Sequence, residues 1–266
     1  MKVKNFISLI SALTLSWLST STYCQVNEDS VMLANSEQWK IEPKKGLFGL
    51  SKPSFGNFTT VSVNKMDSGF YKKKIKDSSS FDLELGGGES DMNQSKYMTI
   101  QKTKWYKLML ASDSGTANAT FAIASVSKEK KQTFLGKIMS KNDEGKNEVL
   151  NYSRDIPGFI STGESSASWQ FLIENFSSGS GQMGGGFLTS ASISSGYLKN
   201  ENDSLSMQIY SSFSADIVLV NRKGEHLAAL KFKKKPFYTW IRNDINKDYR
   251  KAIAGLFAVI IAIKDF

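Results

Sequence analysis

From Phe55 to Asn243 the chain repeats one texture. Short runs rich in Val, Ile, Phe, Tyr and Thr alternate with clusters of Gly, Ser, Asn and Asp. Several runs place apolar and polar residues at alternate positions, the period of a strand with one buried face. Twelve strands are predicted on this pattern, at 58–65, 81–85, 97–102, 105–111, 119–126, 132–139, 169–176, 187–194, 205–212, 215–221, 226–233 and 237–243. Turn signals punctuate them at 67–69, 86–88, 113–115, 142–145 and 222–224. Many short strands with no helical period among them imply an all-β sandwich or barrel.

The pattern changes at the end. Ala252–Ile263 is twelve apolar residues without a break, preceded by N-cap candidates in 244–248. A helix apolar on every side must be buried on every side. Twelve residues rise about 18 Å as a helix, short of the hydrocarbon thickness of about 30 Å, which disfavours a membrane span. A buried strand fits less well, because Ala252, Ala254, Gly255, Ala258 and Ala262 are too small to fill strand positions. An outer-membrane strand ending on Phe266 would put Lys264 on the lipid side, against the required alternation. In a domain made of strands, a closed barrel can surround a helix and leaves no long sheet edge. The expected fold is therefore mainly β, a roughly twelve-stranded antiparallel barrel enclosing a hydrophobic C-terminal helix at about 246–264.

Ile217 to Phe266 reads as strand, Gly-containing hairpin, strand, strand and terminal apolar helix. This stretch resembles the end of the tubby-like superfamily, which includes LURP-one-related proteins and phospholipid scramblases. The resemblance implies a twelve-stranded barrel around a C-terminal helix. It also implies, as in some members, phosphoinositide binding through basic barrel residues.

At the other end, Lys2 and Lys4 precede an apolar run from about Phe6 to Leu18, followed by small polar residues. That order reads as a secretory signal peptide over 1–24, and an exported protein of the periplasm, cell envelope or medium. A lipid-modified Cys24 is the alternative, although Ser21-Thr22-Tyr23 lack the Leu and small-residue pattern expected before one. Cleavage after Cys24 leaves 242 of the 266 residues, a polar segment over 25–50 with one short strand near Trp39, and the barrel domain over 51–266. The formal charge then falls from +9 to +7, since two lysines leave and no acid does. Basic balance points to anionic partners, and for an exported chain these are lipid head groups or acidic glycans before nucleic acid.

Composition removes several chemistries. Cys24 is the only cysteine and His226 the only histidine, so a mature chain has no disulfide and few zinc ligands. No metal, cofactor or catalytic residue is assigned. His226 reads as a strand-start residue. The G-x-G-x-x-G match at 179–184 is followed by serine-rich β sequence and lacks the helix that a dinucleotide fold needs. The S-x-x-K matches at Ser62–Lys65 and Ser127–Lys130 lie on strand or turn sequence, without the partner motifs of penicillin-recognising enzymes. A carboxylate pair drawn from Glu84, Glu89, Asp91, Glu164, Glu174 and Asp203 would serve a glycoside hydrolase if folding brought two together.

The candidate binding residues are lysines: Lys72, Lys73 and Lys74 in one cluster, and Lys231, Lys233, Lys234 and Lys235 in another. A lysine-edged strand first protects against aggregation, and it also suits anionic head groups. The sequence thus reads as a non-enzymatic binding or structural module. Anionic-surface binding and carbohydrate hydrolysis are the alternatives.

Overall fold

The computed structural model describes residues 30–46, 50–66, 71–76, 97–130, 148–163, 168–176, 181–183, 186–188, 193–209, 216–233 and 235–264. The expected leader over 1–24, the expected strands at 81–85 and 132–139, and Lys234 lie outside the described residues. A helical turn, α1, covers 30–34. The strands are β1 (Ser36–Lys45), β2 (Ser51–Phe55), β3 (Phe58–Lys65), β4 (Tyr71–Lys76), β5 (Tyr97–Ser112), β6 (Gly115–Lys130), β7 (Glu148–Ser161), β8 (Ser168–Glu174), β9 (Gly181–Met183), β10 (Gly186–Leu188), β11 (Ser195–Lys199), β12 (Ser204–Ile209), β13 (Ile217–Asn221), β14 (His226–Lys231) and β15 (Phe237–Arg242). The chain then turns into α2 (Lys247–Ile263).

Twelve of these strands close a ring, in the order β3-β2-β1-β15-β14-β13-β12-β11-β8-β7-β6-β5, with β5 pairing back to β3. Every pairing is antiparallel. β4 pairs with the first half of β5 and β3 with the second, so the two share one place in the wall. The fold is a closed antiparallel barrel, as the hydrophobic pattern requires.

α2 fills the barrel. Ala252 to Ile263 are each 0–1% exposed, and the helix packs against β2, β5, β6, β7 and β15. Inward side chains such as Phe121, Ile160, Phe171 and Leu230 complete a single core with it. The Asn246 side chain caps the helix by accepting from the Tyr249 N–H at 2.7 Å. Near the far end, the Ser51 hydroxyl donates to the Ile261 carbonyl at 2.9 Å. That carbonyl also accepts the Lys264 N–H at 3.3 Å, so the last turn is tied both to its own cap and to β2 inside the core.

Two glycines allow the close fit. A Cβ on Gly255 would stand 3.1 Å from Ile160 Cγ2 on β7. A Cβ on Gly158 would stand 2.5 Å from the Phe171 ring and 2.7 Å from the Thr120 carbonyl oxygen. β7 is nevertheless a long wall strand that the sequence pattern misses altogether. Asp155, Pro157 and Gly158 read as breakers, but Pro157 is exposed and Gly158 makes room for Phe171. The predicted strands at 97–102 and 105–111 are one strand, because Thr103 and Lys104 continue the ladder with Ala124 and Ile123 of β6. The 25–50 segment supplies β1, a full wall strand between β15 and β2. β2, β4, β9 and β11 are also unpredicted, β4 because its lysines read as a charge cluster.

Outside the wall, Met32 of α1 sits on Val218, Val220, Ala229 and Trp240 in a second apolar cluster. This explains why β13–β15 read as nearly continuous apolar runs: both of their faces are buried.

Two predictions follow from the core. Ala258→Asp places an unpaired carboxylate at a fully buried position, at a cost above about 4 kcal/mol; denaturant melts should show a lost or sharply lowered midpoint. The second concerns Tyr249, edge-on to Trp169 at 4.7 Å. Burial, reinforced by nearby Asp203 and opposed by Arg222, pushes its phenol up to about 12 from 10.0. Between those values the unfolded chain gives up a proton that the native state keeps, so stability is intact below the lower pH and falls as pH rises through the window. Tyr249→Phe should flatten the alkaline loss of Tm relative to the parent.

Candidate anion-binding rim

The helix defines two ends of the barrel. Its first turn follows β15 at the upper end, and its last turn reaches the lower end, where Ser51 opens β2 and Phe237 opens β15. Strand direction fixes which side chains gather there. β1 descends to Lys45, β2 starts at Ser51, β14 descends to Lys231 and β15 starts at Phe237.

Lys231, Lys233 and Lys235 thus lie on the lower rim, and the fold adds lysines that the sequence analysis did not select. Lys40 of β1 and Lys231 of β14 both pair with Tyr238, one from each side, in a single cross-strand row. Lys44 stands opposite Lys52 across β1 and β2, and Lys52 Nζ donates to the Val61 carbonyl at 3.4 Å. Lys264, at the C-cap of α2, holds its ammonium 4.2 Å from the centroid of the Phe237 ring. Lys235 approaches the same ring at 6.0 Å. Lys40, Lys44, Lys45 and Lys235 are exposed, and Lys52, Lys231, Lys233 and Lys264 are partly so. Cations at this end also complement the negative end of the helix dipole.

Against these eight lysines, the described residues of β1, β2, β13–β15 and their lower connections carry two carboxylates at this end, Glu42 and Asp216. Asp216 is committed to structure. Its Oδ2 accepts from the N–H groups of Phe232 and Lys233 at 2.7 and 2.8 Å. Its Oδ1 lies 4.0 Å from Lys233 Nζ. The carboxylate thereby fixes the connection from which Lys233 and Lys235 project. By contrast, Asp113, Asp203, Glu225, Asp244 and Asp248 all fall at the upper end. There the Arg242 guanidinium holds the Asp244 carboxyl below its ordinary range through a side-chain hydrogen bond.

Lys72, Lys73 and Lys74 lie on β4, opposite Lys102, Gln101 and Ile100 of β5. Around the wall, β2, β1 and β15 stand between that position and β14, so the two sequence clusters are not neighbours in the sheet.

The ring also bears on edge protection. β14 is paired on both sides, to β13 and β15, so its lysines guard no open edge.

The other candidates stay apart. Glu174 ends β8 at the lower end while Asp203 lies in the β11–β12 turn at the upper end, so these two carboxylates do not meet. Glu84, Glu89, Asp91 and Glu164 lie outside the described residues. Residues 181–183 of the G-x-G-x-x-G match form β9, hairpin-paired with β10 and not followed by a helix. Both S-x-x-K matches lie on strands, β3 and β6, and His226 opens β14 opposite Val220.

Comparison of the chain with protein-family models, with curated proteins and with solved structures finds no match in any of the three. Among the described residues no helix is long and apolar enough to cross a membrane.

If Asp216 organises the rim, Asp216→Ala should lower stability by about 1–3 kcal/mol, since two backbone donors lose their acceptor. Urea titration should show that drop, with accelerated amide exchange at Phe232 and Lys233.

Proposed function

We propose that this chain is an exported binding module that docks on anionic surfaces through its lower rim and performs no catalysis there. The observation that carries this reading is the charge polarity of the barrel: among the described residues, eight lysines against two carboxylates on one quadrant of the lower end, with the acids of the closing turns at the other. A ring of ammonium groups on a rigid wall suits a plane of phosphate or carboxylate groups, each lysine near such a surface contributing about 1 kcal/mol. Phe237 and Tyr238 lie among these lysines and hold them near apolar rings. The closed barrel around a terminal helix is the architecture that the tubby-like resemblance implies, and it supports extending the resemblance to basic-residue recognition of lipid head groups. The export reading rests on the Met1–Cys24 sequence pattern and places the partner in the envelope or outside the cell: anionic lipid, or acidic glycan with the same charge.

Vesicle co-sedimentation tests it. The chain should pellet with phosphatidylglycerol-containing vesicles, not with pure phosphatidylcholine, and release as salt rises well past the level at which the screening length is about 8 Å. A Lys40/Lys231/Lys233/Lys235→Gln variant should lose at least about tenfold in affinity, as four surface lysines at about 1 kcal/mol each imply. An Arg222/Lys223→Gln variant at the upper end should not. Binding to heparin without binding to vesicles would assign the rim to glycan. Equal binding to neutral vesicles, or equal loss in the upper-end variant, would contradict the proposal.

A further inference from the structure

The upper end holds a second feature, independent of the rim. A cavity of about 320 Å³ opens between the β2–β3 turn, the β5–β6 turn and the start of α2. Its lining is Asn57, Phe58, Asp113, Ser114, Lys247 and Arg250. β3 pairs with β5, with Thr59 opposite Ala111, so the two turns emerge side by side where the helix begins.

The chemistry of the lining is mixed in a particular way. Lys247 and Arg250 supply two positive charges against the single carboxylate of Asp113. Arg250 is oriented by the protein itself. Its guanidinium carbon lies 5.7 Å from the Trp39 ring, and Trp39 packs edge-on against Phe58 at 6.0 Å. Arg250 Nε is buried without a hydrogen-bond partner among the described residues. A guanidinium set over an aromatic ring, with its Nε–H unspent, suits a planar carboxylate, which the guanidinium fork can meet with two parallel hydrogen bonds. Ser114 is held in its turn by Ser112, the two hydroxyl oxygens being 3.1 Å apart. Asn57 and Ser114 offer both donors and acceptors, and Asp113 accepts only. Phe58 gives the wall an apolar patch. The Asn246 cap already engages the Tyr249 N–H, so the site rests on these side chains and not on the helix end.

Asp113 decides between ligand classes. With Lys247 and Arg250 it leaves one net positive charge in the lining, which matches a carboxylate monoanion better than a phosphate dianion, and it accepts hydrogen bonds from hydroxyl groups. We infer that this cavity is a binding site for a small hydroxylated carboxylate of the sugar-acid class. Its carboxylate lies toward Arg250 and Lys247, its hydroxyls toward Asp113, Ser114 and Asn57, and its C–H face toward Phe58. Concave sites of this size with a few convergent polar groups are the usual form of small-molecule sites.

The test is saturation-transfer NMR and calorimetry on the full chain with D-glucuronate, D-glucose and inorganic phosphate. Glucuronate should bind and glucose should bind at least about tenfold more weakly, since the cationic donors are left unmatched. Phosphate at equal concentration should not displace glucuronate. Lys247→Gln, at an exposed position, and Asp113→Asn should each weaken glucuronate by about fivefold or more without moving the melting temperature. Arg250→Gln should abolish binding; because Arg250 packs on Trp39, its folding is checked first, and the Lys247 and Asp113 variants decide if it fails to fold. No transfer from glucuronate, equal affinity for glucose, displacement by phosphate, or indifference to both Lys247→Gln and Asp113→Asn would overturn the assignment.

Discussion

A helix with no polar face leaves a protein few options. Residues Ala252–Ile263 present apolar atoms in every direction, so every direction must be covered by the chain's own wall. A two-layer sandwich covers two sides. A closed barrel covers all sides around the axis, and closure also removes the unpaired strand edges that β proteins must otherwise protect. The small residues on the helix make the enclosure possible: Gly255 lets β7 approach through Ile160, and the Ser51 hydroxyl reaches the Ile261 carbonyl. Much of what distinguishes this molecule follows from that fit, including the two ends that the helix direction defines.

Those ends differ in charge for a local reason. At the lower end the helix terminates with the negative end of its dipole, and lysines from β1, β2, β14 and the helix itself gather beside it. At the upper end the helix begins, and the closing turns carry acids mixed with Lys247 and Arg250. The barrel spends its interior on its own helix. The two proposed sites lie on the rims and differ in chemistry: broad and cationic below, small and mixed above.

The sequence was most legible where one physical requirement dominates. The unbroken apolar run announces a buried helix, and its small residues announce close packing. The run FTTVSVNK has the bounds of β3, with Phe58 and Val63 buried, although a bulge between Thr60 and Ser62 leaves Val61 exposed and Thr60 buried. Legibility failed where tertiary context overrides local preference. β7 carries Asp155, Pro157 and Gly158, which read as a loop, yet the glycine is needed because Phe171 occupies the space of its missing side chain. β1 looked like a polar tail because its outward residues include Lys40, Glu42 and Lys44, although Ile41 is buried in the core. The rim was half visible for the same reason. Lys231–Lys235 are adjacent in sequence, whereas Lys40, Lys44, Lys52 and Lys264 join them only through strand pairing and the return of the helix. Asn57, Asp113, Lys247 and Arg250 come from three distant segments, and no local pattern marks them as one cavity.

Native-state hydrogen exchange measures the central claim most directly. If the barrel encloses the helix, the amides of Ala252–Ile263 exchange only through global unfolding, with the same free energy and denaturant dependence as the slowest amides of β6 and β7. Exchange of those helix amides at a clearly lower free energy, while the barrel strands stay protected, would mean that the helix leaves an intact wall and is not the core around which it closes.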